Sequence, residues 1–363
     1  MPHRSLIRAC ATVCAALAVC ACRDTPTDPS RPDEYTVTFL GVPEGAESFI
    51  PRAVSAGRVV GVARAGSVSW AVQWANGVFT RIGPEVSPGC ESEPLAARGP
   101  LTVGQVVCIE AGDTPTDAYG WAAGVGGIPR LFLQPYTFVD VSGTGTIAAT
   151  QYPPALFPDA SSRAVRVDGI ATTVLLPPDA AMSEAAGVSN AGDIAVTGYD
   201  ICPPASSRCF ESRVYVWSGS AWTEVPLPGD AQSAIAAAVS SAGHVAGYTF
   251  GGGDGVFLWD HEDEDMDVLP VVPGTRVEIT GANALGQVVG TGFRMDPAPG
   301  QRPSYGIVWG DERLYTLSER IDGEIDWQIT AALGTDDEGR IVGTAVNPEN
   351  GQEGAVLLTP TES

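Results

Sequence analysis

The stretch GVSNAGDIAVTG, residues 187–198, places a polar turn around Gly192 between two apolar runs. A third apolar run ends in VYVW at 214–217, and SGSAWTEV at 218–225 begins with a Ser-Gly turn and continues into a fourth. Turns of this chemistry join antiparallel neighbours. The unit therefore predicts four short antiparallel strands in succession.

The same unit recurs along the chain. Its turn glycines are spaced by 47, 41, 47, 51, 43 and 53 residues, and they are Gly57, Gly104, Gly145, Gly192, Gly243, Gly286 and Gly339. A second series runs in phase with the first, at the end of each third strand: Trp74, Trp121, Val167, Trp217, Trp259, Trp309 and Leu357. Four strands in ~40–50 residues is the size of a β-propeller blade. We therefore predict an all-β, seven-bladed β-propeller over residues 35–363, in which the recurrent tryptophans pack between blades.

The two ends of the repeat region complete each other. The last unit stops at 357–360 without a fourth strand, whereas LGVPEGAESFIPRAVSAG at 40–57 parallels VPLPGDAQSAIAAAVSSAG at 225–243. The segment 35–40 thus takes the place of a fourth strand displaced to the N-terminus. We expect it to pair with the last blade and to close the ring, because closure removes the open sheet edge.

The units resemble HAF repeats, the "probable extracellular repeat" of bacterial secreted proteins. The segments that match this family best are Gly104-Gln105-Val106-Val107 and 283–290, NALGQVVG. The resemblance covers essentially all of residues 35–363 and implies a propeller-type repeat architecture. No established catalytic residues come with the family, so it implies no chemistry.

The N-terminus has the features of an export signal. Arg4 and Arg8 precede an apolar run, which predicts a signal peptide over residues 1–21. The run ends in VCAC at 19–22, which resembles the bacterial lipobox and predicts lipidation of Cys22; an ordinary cleaved signal is the alternative. The polar, Pro-rich segment 22–34 reads as a flexible tether. Because Arg23 stands where an inner-membrane lipoprotein would carry Asp, we expect an exported outer-membrane lipoprotein that faces the periplasm or the cell surface and contacts the membrane only through its lipid.

The charge excludes several functions. The chain has 43 acidic residues and 20 arginines, contains no lysine and carries a formal net charge of −23. Such a surface repels phosphate backbones, so nucleic acid is not expected as a partner. Without lysine there is neither a Schiff-base nor a phosphate-loop lysine. We expect a monomer whose partner is an unidentified envelope protein or glycan.

Four cysteines remain after removal of the signal and lipidation of Cys22. We predict disulfides between Cys90 and Cys108 and between Cys202 and Cys209, which is one of three possible connectivities. A metal site is the rival interpretation, but no histidine accompanies these cysteines and none of them is spaced C-x-x-C.

The sequence assigns no catalytic, cofactor-binding or metal-binding residues. It contains neither an H-E-x-x-H zinc motif nor a G-x-S-x-G nucleophile elbow. Asp263, Asp265 and Asp267 alternate as calcium ligands do, although the glycine and distal glutamate of an EF-hand are missing, so a solvated turn competes with calcium. Carboxylates that a glycosidase could use are Glu184, Glu278, Asp322, Glu324 and Asp326.

Strand alternation sorts the loops onto two faces. The connections from the second to the third strand and from one blade to the next emerge on one face, here called the long-loop face. The tight turns emerge on the other, the short-turn face. Because loops on a rigid scaffold usually carry binding sites, we interpret the protein as an envelope binding or interaction module. A hydrolase or lyase acting on extracellular glycans or peptides, and a purely structural component, are the alternatives. Converging charged residues at the axis would favour the enzyme, and an axis lined by Ala, Gly and Ser would favour binding or structure.

Overall fold

The seven-bladed propeller is confirmed by a computed structural model. It describes residues 32, 34–86, 89–109, 115–124, 130–132, 136–152, 161–200, 211–252, 254–297, 301–310, 313–323 and 326–361. The strands in this part of the chain form seven four-stranded antiparallel sheets. The first strand of each blade lies next to the ring axis. A short 3-10 helix, Leu317–Arg320, lies between blades 6 and 7.

Blades 1 to 3 follow one another along the chain after β1 (Tyr35–Phe39). Blade 1 contains β2 (Ser48–Ser55), β3 (Arg58–Ala65), β4 (Val68–Ala75) and β5 (Val78–Arg81). Blade 2 contains β6 (Cys90–Arg98), β7 (Leu101–Ile109), β8 (Pro115–Gly124) and β9 (Arg130–Phe132). Blade 3 contains β10 (Tyr136–Val141), β11 (Thr146–Gln151), β12 (Arg163–Asp168) and β13 (Ala171–Leu175).

Blades 4 to 6 have the same strand order, and blade 7 has three strands of its own. Blade 4 contains β14 (Met182–Val188), β15 (Ile194–Tyr199), β16 (Ser212–Ser218) and β17 (Ala221–Glu224). Blade 5 contains β18 (Ser233–Val239), β19 (Val245–Phe250), β20 (Gly255–Trp259) and β21 (Met266–Leu269). Blade 6 contains β22 (Thr275–Ala282), β23 (Val288–Arg294), β24 (Ser304–Gly310) and β25 (Arg313–Thr316). Blade 7 contains β26 (Gln328–Thr335), β27 (Ile341–Val346) and β28 (Glu353–Pro360).

The ring closes as the sequence predicts. Strand β1 pairs antiparallel with β28, with Tyr35 opposite Pro360 and Phe39 opposite Val356. The pairing extends one step further, because the Thr361 N–H donates to the Glu34 carbonyl at 3.0 Å. The Tyr35 side chain is completely buried. The outer strand of blade 7 therefore comes from the start of the propeller sequence.

In blades 3 to 7 a polar side chain holds the turn between the first and second strands. Its oxygen accepts a hydrogen bond of 3.0–3.1 Å from the backbone N–H four residues later. The residues that do this are Ser142, Ser189, Ser240, Asn283 and Asp336. The turn glycine that follows each has a φ of 68–101°, which favours glycine because it lacks a Cβ. Blade 2 differs from the prediction: its turn glycine is Gly99, with a φ of 52°, and Gly104 lies inside β7.

A second glycine of the repeat serves a β-bulge. The first strands of blades 1 to 6 each contain one unpaired extra residue, for example Arg52 between Pro51 and Ala53, and the first strand of blade 7 contains two. In five blades the facing position on the second strand is glycine, and a Cβ there would lie 2.1–2.3 Å from a carbonyl oxygen of the first strand. These glycines are Gly61, Gly104, Gly247, Gly290 and Gly343. Blades 3 and 4 carry Ala149 and Val196 in the same register position.

We expect Gly343→Ala to lower the free energy of unfolding by about 1–3 kcal/mol, the usual cost of overpacking. The new methyl would lie 2.1 Å from the Ala331 carbonyl oxygen, so the two strands would have to separate. The matched control is Gly124→Ala in β8, where no atom lies within 4 Å of the added methyl. Urea midpoints measure both changes. Equal midpoints for the two variants would contradict the steric explanation.

An apolar cluster fills every interface between neighbouring blades. The tryptophan series packs toward the preceding blade: Trp259 of blade 5 contacts blade 4, and Trp309 of blade 6 contacts blade 5. The packing role of these residues is therefore confirmed.

Two members of the predicted tryptophan series, Trp121 and Leu357, do not occupy the register position that the other five share. Ala123, and not Trp121, takes the register position in blade 2, but a shift of two residues keeps Trp121 on the same sheet face. In blade 7 the position belongs to Leu358, and Leu357 faces the interface with blade 1 on the opposite side.

Candidate functional site

In blades 1 to 6 the bulge of the first strand places one residue toward the ring axis. In six blades this bulged residue lines an axial cavity of about 160 Å³. These residues are Arg52, Leu95, Val139, Ala186, Ala237 and Thr280. The residues after the bulge are mostly alanine and glycine, including Ala53, Ala96, Ala238, Gly281 and Gly334. The axial cavity is therefore narrow, and small side chains form much of its wall.

Arg98 ties four blades together at the end of this cavity that faces the short turns. Its Nη1 donates to the Val188 carbonyl at 2.5 Å, and its Nη2 donates to the Val239 carbonyl and to Asp140 Oδ2, both at 3.2 Å. Arg98 belongs to blade 2 and its partners belong to blades 4, 5 and 3. The Arg98 guanidinium therefore links blades 2 to 5 across the ring, and we call this group of contacts the axial lock.

Asp140 is the acidic partner of Arg98 in the axial lock. Its carboxylate accepts the Val188 N–H at 3.1 Å and the Val141 N–H at 2.8 Å, and its side chain is only 14% exposed. Burial raises the pKa of Asp140 above its ordinary value, and the neighbouring Arg98 opposes that rise. The second axial arginine, Arg52, pairs with Glu93 of blade 2. The charges of Arg52, Arg98 and Asp140 at the axis are therefore engaged in ion pairs within the protein.

The axial lining therefore combines small and apolar side chains with the paired charges of Arg52, Arg98 and Asp140. Glu184 and Glu278 take the same register position in blades 4 and 6, and blade 5, with Ile235 in that position, lies between them. Tyr199 donates to Glu184 at 3.1 Å, and burial together with this carboxylate raises the pKa of the Tyr199 phenol. The structure does not bring the two glutamates onto one blade or onto adjacent blades.

Of the other predicted carboxylates, Asp322 and Asp326 lie close to the 3-10 helix along the chain. Asp322 and Asp326 are exposed, and the Asp322 N–H donates to the Tyr35 carbonyl at 2.9 Å. Glu324 lies outside the described residues. These positions do not form a site with the axial residues in the described part of the chain.

The acidic run predicted as a turn or a calcium site is an exposed turn between β20 and β21. Asp260 holds it by accepting the Glu262 N–H at 2.8 Å. Asp263 and Asp265 are exposed, and Asp267 lies in β21. Within the described ranges, no group of three His, Cys, Asp or Glu side chains is placed to hold a metal ion.

A second cavity of about 270 Å³ lies between blades 6 and 7. It is lined by Arg294, Gln301, Arg302, Ser304, Tyr305, Ser318, Gln328, Ile329 and Thr330. These residues come from the end of β23, from the connection to β24, from the start of β24, from the 3-10 helix and from the start of β26. The cavity lies at the long-loop face, where β23 ends and β24 and β26 begin. We call this cavity the blade 6–7 cleft.

Two arginines with different environments line the blade 6–7 cleft. The Arg294 guanidinium lies 4.2 Å from the centre of the Tyr305 ring, and its Nη1 donates to the Arg302 carbonyl at 2.9 Å. Arg302 pairs with Glu353 at 2.9 Å and donates from Nε to Gln328 at 3.3 Å. Among the described residues Arg294 has no carboxylate partner. The cleft is therefore a polar site with one unpaired positive charge.

The predicted pairing of Cys90 with Cys108 is present. The two residues are opposite each other in β6 and β7, and their sulfurs are bonded. Both cysteines lie in strands, because β6 begins at Cys90 and β7 continues to Ile109 and so includes Cys108. Cys202 and Cys209 lie outside the described residues, as does the lipidation candidate Cys22.

A variant with Cys90→Ser and Cys108→Ser is expected to lose about 2–4 kcal/mol of unfolding free energy, because an unfolded chain without the bond gains conformational freedom. Denaturant unfolding measures the loss, and the mass after alkylation of the unreduced wild-type protein counts its free thiols. Alkylation of Cys90 or Cys108 without reduction would contradict the bond. The variant with Cys202→Ser and Cys209→Ser tests the second predicted pair in the same assay.

Comparison with known proteins supports the fold and nothing finer. The chain resembles the β-propeller domain of the Trilobed protease from Pyrococcus furiosus, with a TM-score of 0.58, 10% identity and coverage of 88% of this chain and 95% of that one. It also resembles a prolyl endopeptidase (TM-score 0.55, 10% identity, coverage 93% and 52%) and the acylaminoacyl peptidase of Pyrococcus horikoshii (TM-score 0.52, 12% identity, coverage 90% and 53%). The chain spans about half the length of these two peptidases. No protein-family model matches the sequence, and no curated protein does.

One difference from the first of these structures concerns ring closure. That propeller is described as having an open velcro topology, whereas here β1 pairs with β28 along its whole length. No helix in the described part of the chain is long and apolar enough to cross a bilayer.

Two groups of residues that form polar sites in this propeller were not predicted from the sequence: the contacts of Arg98 at the axis, and Arg294 with Arg302 in the blade 6–7 cleft. Arg98 is 42 residues from Asp140 and 141 from Val239, so no local pattern could reveal their contact. Arg294 and Arg302 did leave a signal, because they flank the Pro-rich connection RMDPAPGQR, 294–302, in a chain with few positive charges.

Proposed function

We propose that this protein is an exported, lipid-anchored propeller that binds a component of the cell envelope through its long-loop face. The repeats would be of the HAF type, Cys22 would carry the lipid, and residues 22–34 would hold the propeller away from the outer membrane. The propeller fold supports the role of a rigid scaffold.

The observation that carries the binding role is the unequal size of the connections on the two faces. On the long-loop face, second and third strands are joined by 152–162 in blade 3, 200–211 in blade 4 and 295–303 in blade 6. On the short-turn face the connections include 56–57, 99–100, 169–170 and 219–220. The blade 6–7 cleft opens among the longer connections, as expected of a binding face.

The test is retention of envelope glycans and proteins by the immobilised mature chain, residues 22–363 with Cys22→Ser. In one variant the connection 295–303 is replaced by a Gly-Ser turn like that at 66–67 in blade 1. In the control, the connection 260–265 on the short-turn face is shortened in the same way. We expect the first variant to lose the bound component and the control to keep it.

Two results would overturn the proposal. One is that the shortened 260–265 variant loses binding while the 295–303 variant keeps it. The other is turnover of an offered glycan or peptide without any retained component, which would support the hydrolase alternative. Lipid anchoring is tested separately, by incorporation of radiolabelled palmitate into the wild-type chain and its loss in Cys22→Ser.

A further inference from the structure

We propose that the blade 6–7 cleft binds the carboxylate of an acidic saccharide, with Arg294 as the main anchor. This inference rests on the proposed binding function and specifies its ligand.

Arg294 is held in place before any ligand binds. Its guanidinium stacks on Tyr305, whose hydroxyl shares a 3.1 Å hydrogen bond with Thr275. Gly292 makes room for this ring, since a Cβ there would lie 2.7 Å from the Tyr305 ring. The stacking and the bond to the Arg302 carbonyl fix the guanidinium plane. Such preorganisation lowers the entropy cost of binding.

The cleft has donors that are not used within the described part of the protein. Nε and Nη2 of Arg294 have no acceptor there, and neither has Nη2 of Arg302. The N–H groups of Nε and Nη2 point outward along one edge of the planar guanidinium, and their spacing matches the two oxygens of a carboxylate. The Ser304 hydroxyl and the Gln328 amide N–H groups are further donors in the lining.

The charge of the cleft suits a monoanion. Glu353 neutralises Arg302, and Arg294 is left as a single excess positive charge. In a chain with a formal charge of −23, such a local reversal attracts an anion that the rest of the surface repels. A phosphate dianion would bring more negative charge than the cleft can balance, so a carboxylate is the better match.

The rest of the lining indicates a sugar rather than a peptide. Ser304, Ser318, Gln328 and Thr330 offer polar groups for hydroxyls, whereas Ile329 and Tyr305 are buried. Arg294 covers one face of the Tyr305 ring, so the cleft has little apolar surface for a peptide side chain. Its volume of about 270 Å³ is small for a ligand pocket and suits one end of a saccharide chain.

The experiment is calorimetric titration of the mature chain, with Cys22→Ser, using trigalacturonate as the probe. Its methyl ester, which has the same sugars without the charge, is the matched ligand control. We expect saturable binding of the acid and at least about tenfold weaker binding of the ester, because esterification removes the charge and with it the charge-assisted hydrogen bonds to Arg294. An acetylated tripeptide with a free C-terminal carboxylate and inorganic phosphate are titrated alongside.

The protein variants are Arg294→Gln, Arg294→Lys and Arg302→Gln. We expect Arg294→Gln to weaken trigalacturonate binding at least about tenfold, and Arg294→Lys to weaken it nearly as much, because lysine keeps the charge but loses the planar fork. Arg81→Gln on the exposed end of β5 removes the same charge away from the cleft and should change the affinity less than twofold. Thermal melting verifies that every variant is folded.

The inference is wrong if trigalacturonate and its ester bind alike, if neither binds, or if the tripeptide or phosphate binds more tightly. It is also wrong if Arg294→Gln binds as the wild-type protein does. These failures are distinct from failure of the proposed function: an Arg294→Gln chain that still retains its envelope component would place the site elsewhere on the long-loop face.

Discussion

A chain that lacks residues 32–39 is expected to lose its cooperative unfolding transition. The deletion removes β1, exposes the edge of β28 and opens the apolar cluster in which Tyr35 is completely buried. Loss of a buried aromatic side chain alone costs about 3–5 kcal/mol. Because whole domains are stable by only about 5–15 kcal/mol, loss of the entire strand removes most of the margin. Circular dichroism and denaturant titration measure the result.

A circular permutant is the control for this deletion. It begins at Gly41 and ends with Thr361, a two-residue Gly linker and residues 34–40. Because Thr361 and Glu34 already share a hydrogen bond of 3.0 Å, a short linker can join them as a hairpin. We expect the permutant to unfold cooperatively, near the wild-type midpoint. If the deleted chain also unfolds at that midpoint, ring closure does not stabilise the fold.

Arg98→Met is expected to cost about 3–5 kcal/mol of unfolding free energy, because removal of one partner leaves the other charge of a buried pair without compensation. Asp140 would remain among the blade ends, and the Val188 and Val239 carbonyls would lose their donor. Arg64→Met, on an exposed position of β3, removes the same charge where the side chain has no hydrogen bond or ion pair to the described residues, and it should change stability by less than about 0.5 kcal/mol.

The loss should depend on pH in a defined direction. The pKa of Asp140 is raised in the folded protein by burial, and without Arg98 it rises further, since the opposing positive charge is gone. A folded-state pKa above the unfolded value means that the native protein binds more protons, so stability falls as pH rises through the interval between the two. The deficit of Arg98→Met relative to wild type should therefore be largest at neutral pH and smaller at mildly acidic pH.

A double variant separates charge burial from packing. In Arg98→Met combined with Asp140→Leu no charge remains at this end of the axis, and we expect most of the lost stability to return. A deficit that is independent of pH, or a double variant no more stable than Arg98→Met, would show that the ion pair is not the source of the effect.

The ring could be predicted from the sequence because the residues that recur in each blade are needed for local reasons. In the first turn of blade 4, for example, the Ser189 hydroxyl accepts a hydrogen bond from the backbone four residues later, and Gly192 adopts a positive φ. Ring closure was visible because 40–57 and 225–243 are related copies. In blade 2, however, both Gly99 and Gly104 fit the pattern of the turn glycine, and Gly104 was the wrong choice. Glycine is needed at position 104 because a Cβ there would collide with the Glu93 carbonyl oxygen on the neighbouring strand.

The sites were harder to predict because they depend on contacts between blades. The lock of Arg98 joins residues from four blades, and the stacking of Arg294 on Tyr305 depends on the register of β23 with β24. The cysteine pair was predictable, since the two-strand unit that contains Cys90 and Cys108 is local. Export, lipidation and the HAF assignment stay predictions.

The pairing of Tyr35 with Pro360 also determines when the fold can be completed. During synthesis β1 is made before every other strand of the propeller, and β28, the strand that it pairs with, is made after all of them. Until β28 is available, β1 has no strand to pair with along its length and blade 7 has no outer strand. The delay adds little free energy, because the entropy of closing a loop grows only with the logarithm of its length. It does add time during which two β-edges are open to other chains, so we expect slow final closure and a need for protection of the nascent chain.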